Sequence, residues 1–342
     1  MHRVSLRLAV LLSSLPALAA ALPAQTLYTF PGTGFAPVYT FISSATKTLD
    51  MTMYELVDTT TEQDLAALAK KGVKVRVILD QNSEKSSNTA AYTYLTSNGV
   101  SCHWANPAYA VTHQKTITLD GTTSLILTAN LASRDYPTSR DFAITDADPK
   151  DVAEIEAVFN ADFTNAAVTP IKADSLIWSP NLAQAALLAF INAAQHTLLV
   201  ENEEMSSATI VTALANRAKA GVAVSVIMTN DNNTYLSEFQ TLTAAGIKVY
   251  TYPYNNTALY IHAKVMVSDY GYPAANAYLG SINFSTASMT KNRELGQTTQ
   301  NAAVLQGLNT TLLSDIKGGT LLAKTTTRRS HRQPSTAGAA AH

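Results

Sequence analysis

The motif H-x-K-x₄-D is spelled twice in this chain, as His113-Gln114-Lys115 followed by Asp120 and as His262-Ala263-Lys264 followed by Asp269. The copies are 149 residues apart, and the same offset carries Gly221 onto Gly72, Thr197-Leu198 onto Thr48-Leu49, Phe190-Ile191 onto Phe41-Ile42 and Pro180 onto Pro31. At average residue usage, two such motifs in register are expected in roughly 1 in 10⁴ chains. The chain therefore reads as a tandem duplication. Each copy is large enough to bury a core of its own, which predicts one domain over 25–174 and a second over 175–323.

Within each copy the periodicity alternates between strand and helix. A strand ends at Pro31 or Pro180 and an amphipathic helix follows, clearest over 182–195, where Leu187, Phe190, Ile191 and Ala194 share a face. Strands over 48–54 and 197–203 lead into second helices that stop at Gly72 and Gly221, and further strands open at Val73 and Val222. The β-α-β-α-β order predicts a largely parallel sheet with helices on its faces, an α/β fold. The H-x-K segments are expected on following strands, where alternation projects histidine and lysine together into a cleft while Ala263, Val265 and Val267 pack behind.

Two imidazoles and two ammonium groups brought together across a pseudo-twofold axis suit chemistry on a phosphodiester. One histidine can attack phosphorus, the other can protonate the leaving oxygen, and Lys115 and Lys264 can hold the phosphate oxygens. Each motif has a matching sequel: Thr128-Ala129-Asn130 then Arg140-Asp141, and Ser281-Ile282-Asn283 then Arg293-Glu294. The asparagine-to-acid step is 11 residues in both. Asn130 and Asn283 offer amide donors, and Thr128 and Ser281 hydroxyls, to a phosphate. Asp141 and Glu294 are candidates to orient the histidines, with Glu294 expected to hold His262 of its own half. Asp120 and Asp269 are expected to support the turns before Gly121 and Gly271.

The paired motifs, with G-S-x-N and a following acid, resemble the phospholipase D superfamily across both halves. The first copy departs from that pattern at Leu127-Thr128-Ala129-Asn130 and in having aspartate at 141. The resemblance implies two α/β sandwich domains with one active site at their interface. It also implies a phosphohistidine intermediate on His113, His262 as general acid, and no metal or other cofactor.

The ends have a different composition. Arg3 and Arg7 precede an apolar stretch over 8–22, and Ala19-x-Ala21 or Ala24 fits a cleavage site, so 1–24 reads as a signal peptide and the protein as secreted or periplasmic. Residues 324–342 contain basic side chains and no acids and read as a disordered tail. Setting aside Arg3, Arg7, Lys324, Arg328, Arg329 and Arg332 leaves the core at about −7, which argues against indiscriminate nucleic-acid binding. The single cysteine, Cys102, fits a buried apolar position.

Three functions fit this reading. The first is a secreted phospholipase D that cleaves phosphatidylcholine-type lipids, acting as a monomer with transient membrane-surface contact. The second is an endonuclease of the same superfamily acting on nucleic acid. The third is a non-catalytic protein that keeps the fold, against which the intact His, Lys and Asn pairs argue. Glu55 and Glu204, related by the 149 offset, follow equivalent strands and are expected to line the site or cap a helix. Trp104 and Tyr109, with Tyr250, Tyr252, Tyr254 and Tyr260, precede the motifs and are expected to contact substrate or pack in loops.

Overall fold

The computed structural model describes residues 25–169 and 175–323. The signal segment, the tail and the 174/175 boundary inferred from sequence lie outside those residues. The first half contains β1 (Leu27–Phe30), α1 (Ala36–Ser43), β2 (Thr48–Met53), α2 (Thr59–Lys70), β3 (Lys74–Leu79) and α3 (Lys85–Ser97). It continues with β4 (Ser101–Trp104), β5 (Thr116–Leu119), β6 (Thr123–Leu127), β7 (Ser139–Asp146) and α4 (Pro149–Phe163). The second half repeats this order as β8 (Leu176–Ser179), α5 (Ala183–Ala193), β9 (Thr197–Glu201), α6 (Ala208–Lys219), β10 (Ala223–Asn230), α7 (Leu236–Ala244) and β11 (Lys248–Pro253). After β12 (Tyr260–Ile261) come β13 (Val265–Ser268), β14 (Asn276–Gly280), α8 (Thr286–Thr290), β15 (Glu294–Thr299), α9 (Ala302–Gly318) and β16 (Thr320–Leu321).

Each half is a mixed sheet. The first runs β1-β7-β6-β5-β2-β3-β4 and the second β16-β11-β10-β9-β13-β14-β15-β8. The expected parallel arrangement holds for β2-β3-β4 and β9-β10-β11, where helices cross over between strands. It fails at β5 and β13, which run antiparallel to β2 and β9 and to the strands that follow them. The reason lies in the turns. Asp120 and Gly121 both adopt positive φ, +54° and +63°, and close a tight hairpin between β5 and β6. A connection that short holds no crossover helix, so the strands must reverse.

The helices begin and end as the sequence indicates. Asp148, Ser207 and Asn301 cap α4, α6 and α9 through their side chains. Gly72 and Gly221 adopt φ of +89° and +96° just past α2 and α6, the conformation that lets the chain leave a helix and enter a strand. Val75, Val77 and Leu79 alternate on β3 and meet Leu65, Leu68 and Leu95 of α2 and α3 in the core of the first half. An equivalent core forms in the second half from Val224, Val226 and Met228 with Ile210 and Leu214.

A third core joins the halves. Ile126, Phe142 and Ile144 of the first sheet pack with Ala277, Leu279 and Leu295 of the second, closed by Ile155 and Val158 of α4 and Leu308 and Leu312 of α9. Two buried ion pairs cross the same interface. Arg140 grips Asp315 of α9 through both carboxylate oxygens, at 2.6 and 2.9 Å, and Arg293 pairs with Asp162 of α4 at 2.8 Å. Each arginine immediately precedes one of the two acids singled out in the sequence. The fold therefore fastens each acid-bearing strand to the opposite half.

Candidate active site

Contrary to the expectation that they lie on strands, the H-x-K segments end just before β5 and β13. Their extended backbone is held across the domain boundary. His113 N and Gln114 N both donate to Arg293 O, and His262 N and Ala263 N both donate to Arg140 O. β12, just before the second motif, pairs in parallel with β7, and Thr112 bridges to Arg293 in the mirrored position. Each motif thus rests on the strand that carries the other half's acid.

The consequence is a crossed pairing. His113 Nδ1 lies 2.9 Å from Glu294 Oε2, and His262 Nδ1 lies 2.8 Å from Asp141 Oδ1. The expected pairing of Glu294 with His262 within one half is wrong. A histidine and an acid of the same copy are separated by their own sheet's strand order, whereas the interface places each ring over the partner strand. Every member of this quartet is buried, and the two imidazoles keep only 9% exposure each.

Hydrogen bonds fix the ring states. His113 Nδ1 faces two acceptors, Glu294 Oε2 and Ser281 O at 3.2 Å, so Nδ1 carries the proton and a neutral ring keeps its lone pair on Nε2. Burial and the nearby Lys115 ammonium lower the His113 pKa, although Glu294 acts in the opposite direction. That ring is therefore biased toward the neutral, nucleophilic form. His262 has a carboxylate on each side, Asp141 at Nδ1 and Glu203 Oε2 at 3.6 Å from Nε2. A ring protonated on both nitrogens directs an N–H toward each of them.

Both acids have several partners. Asp141 accepts from Thr128 Oγ1 at 2.5 Å and Ser139 Oγ at 2.6 Å; Glu294 accepts from Ser288 Oγ at 2.5 Å and Asn292 Nδ2 at 3.0 Å. Burial alone would raise both carboxyls, but the histidines and these donors hold them below the ordinary range. Thr128 is therefore occupied with the acid and with Phe142 N, and Ser281 Oγ exchanges hydrogen bonds with the Leu295 backbone. The phosphate contacts expected of these two hydroxyls are not what the structure gives them, because full burial turns both inward.

Lys115 and Lys264 are buried, and each donates to the carbonyl of the histidine two residues before it. Burial and the proximity of Lys264 push the Lys115 ammonium down to about 7. Two cations from different halves thus act on each other across the interface. Asn130 lines the adjoining cleft, and Asn283 Nδ2 donates to Glu204 Oε1 at 3.0 Å and Glu203 Oε2 at 3.3 Å. Asp120 and Asp269 support structure, but at a different place from that expected. They accept backbone N–H groups of 46–48 and 195–197, tying the segments before β2 and β9 to the hairpins.

The cleft, about 400 Å³, reaches the site from the His262 side. Its wall includes Glu55, Asp135, Asp141 and Glu203 against Arg134 and His262, with Phe35, Tyr136, Tyr254 and Tyr260 as its aromatic surface. Glu55 lines it while paired with Arg134 at 2.7 Å. Of the aromatics weighed from sequence, Tyr254 and Tyr260 face the cleft, Tyr250 and Tyr252 pack against the interdomain core, Trp104 stacks on Tyr92, and Tyr109 contacts Arg293. Glu203 was missed: its equivalent 149 residues earlier is Tyr54, so the repeat gave no signal. Among the described residues no group of three or more His, Cys, Asp or Glu is placed to hold a metal ion.

The chain matches the family described as cardiolipin synthase, PLD-like domain, over residues 38–163 and again over 187–316. It belongs to the phospholipase D superfamily. The phospholipase D fold is shared with solved structures at low identity. Polyphosphate kinase from Porphyromonas gingivalis is similar over 86% of this chain, with 13% identity and a TM-score of 0.66. The chain spans only 50% of that kinase. Phosphatidylserine synthase from Haemophilus influenzae Rd KW20 is similar over 87% of both chains, with 12% identity and a TM-score of 0.66. The phospholipase D family member Nuc from Salmonella typhimurium matches 44% of this chain and 97% of its own, at 21% identity and a TM-score of 0.40. No curated protein matches the sequence significantly. The family match places the chain in a superfamily of phosphodiester-acting enzymes.

Proposed function

We propose that the chain is a secreted phospholipase D-type hydrolase that cleaves phosphatidylcholine-type lipids to phosphatidate and free alcohol. His113 Nε2 attacks phosphorus, and the leaving alkoxide takes its proton from His262 Nε2. The resulting phosphatidyl-histidine is then hydrolysed by a water that gives its proton back to His262. Lys115 and Lys264, with Asn130 and Asn283, supply positive charge and donors to the phosphate oxygens.

The observation that carries the choice of substrate is the cleft. Glu55, Asp135 and Glu203 and four aromatic rings line it beside the Asp141–His262 pair, against one exposed guanidinium. A polyanionic strand meets repulsion there, whereas a headgroup with a cation next to its phosphate meets carboxylates and ring faces. The negative core charge supports the same choice. The mature protein, supplied in parallel with phosphatidylcholine vesicles and single-stranded DNA in the presence of EDTA, should release choline and leave the DNA intact. DNA cleavage without choline release would favour the endonuclease reading, and complete loss on chelation, restored by one divalent ion, would remove the metal-free mechanism.

A further inference from the structure

The phosphate-binding donors of the second half already hold an anion, and it comes from the chain itself. Lys264 Nζ lies 2.8 Å from Glu203 Oε2. Asn283 Nδ2 donates to the same oxygen at 3.3 Å, and His262 Nε2 faces it at 3.6 Å. Tyr260 Oη donates to the other oxygen at 2.9 Å and fixes the carboxylate's orientation. A lysine and an amide are assigned above to a phosphate oxygen, and the Nε2 of the acid histidine to the leaving oxygen. All three meet on Glu203.

The first half has no such anion at the matching position. Tyr54 stands there, with Lys115 Nζ 5.0 Å from the centre of its ring and the His113 ring edge-on at 4.6 Å. The duplication is therefore broken at this pair of positions, in the residue that faces each lysine. Burial opposes a charge on Glu203, but Lys264 and His262 outweigh it and hold the carboxyl well below the usual carboxylate range.

We infer that Glu203 is a specificity-determining residue that occupies the seat of a phosphate oxygen in the resting site. There it excludes small free anions, and it gives way only to a phosphodiester held at several points. The physical basis is competition: two anions cannot share one lysine and one amide donor without repulsion that the buried setting screens poorly. The inference rests on reading this as a phosphodiester site, but not on the substrate being a lipid.

The test is equilibrium binding of inorganic phosphate by calorimetry to the parent protein, E203Q and E203D, with folding checked by circular dichroism. Glutamine keeps the shape without the charge, and aspartate keeps the charge but draws it back from Lys264. Both variants should bind phosphate more tightly than the parent, E203Q by about tenfold or more, and adding K264M to E203Q should abolish the gain. Should E203Q fail to fold, E203D decides. Unchanged or weaker phosphate binding in the folded variants would overturn the inference, as would a gain that survives K264M. Because the readout needs no turnover, tighter binding without choline release would leave this inference standing while the lipid reading falls.

Discussion

Four side chains of the site, two from each half, form its two histidine–acid pairs, and their individual partners decide how it titrates. Glu294 is bonded to His113, the ring proposed to attack, and Asp141 to His262, the ring proposed to donate. The attacking ring must be neutral, so its pKa sets the limb where activity falls with falling pH. Glu294 favours the protonated form of His113. In E294Q that support is gone, the His113 pKa falls further, and the acid limb should move to lower pH. Glu294 also supports the Lys115 ammonium, so the alkaline limb should fall earlier as well. The rate should drop by roughly 10²–10⁴ as the ring loses its orienting charge. A full profile on one soluble phosphodiester checks this; an acid limb that stays in place would restore the pairing within each half. Above pH about 7 the buried Lys115 loses its charge, which contributes to the alkaline decline in both proteins.

At the level of elements, the aspartates at the ends of the motifs act on stability. Asp269 is buried, sits at φ +50°, and accepts from Gln195 N, His196 N and Thr197 N. D269A should cost about 2–4 kcal/mol, read as an earlier urea midpoint, because three donors lose their acceptor and alanine disfavours that backbone. Turnover per folded molecule should change little; a large loss of kcat at unchanged stability would place Asp269 in the chemistry. Asp120 makes the equivalent bonds, and they hold its carboxyl at about 2. Its folded pKa lies below the unfolded value of about 4, so its contribution is present above that pH and is lost as pH falls through about 2. These supports were legible as a repeat, and so were the first two helices of each copy, the parallel strands and the His, Lys, Asn and acid pairs. What the sequence hid was contact between halves. Periodicity speaks for one copy at a time, so it could not show that Arg293 and Arg140 carbonyls hold the opposite motifs. Glu203 escaped for the opposite reason: it differs between copies, and the repeat only draws attention to what is the same.

The whole molecule is one catalytic unit because the interface that buries the third core also aims the histidines. Arg293 is nearly fully buried, pairs with Asp162, and lends its carbonyl to both His113 N and Gln114 N. Removing the charge of Asp162 strands a buried guanidinium, at a cost of about 3–5 kcal/mol. D162N should therefore lower the unfolding midpoint and kcat together, measured on one preparation; lowered stability with unchanged turnover per folded molecule would separate the latch from the site. The central claim is that the two halves share a single reaction, with His113 making the bond to phosphorus and His262 moving the proton. A p-nitrophenyl phosphodiester tests it directly, because its leaving group needs no acid. With H262A, one equivalent of nitrophenolate should be released in a burst, and mass spectrometry of the quenched protein should find the phosphoryl adduct on His113. H113A should give neither burst nor adduct. An adduct on His262, or no adduct in either variant despite turnover by the parent, would contradict the account.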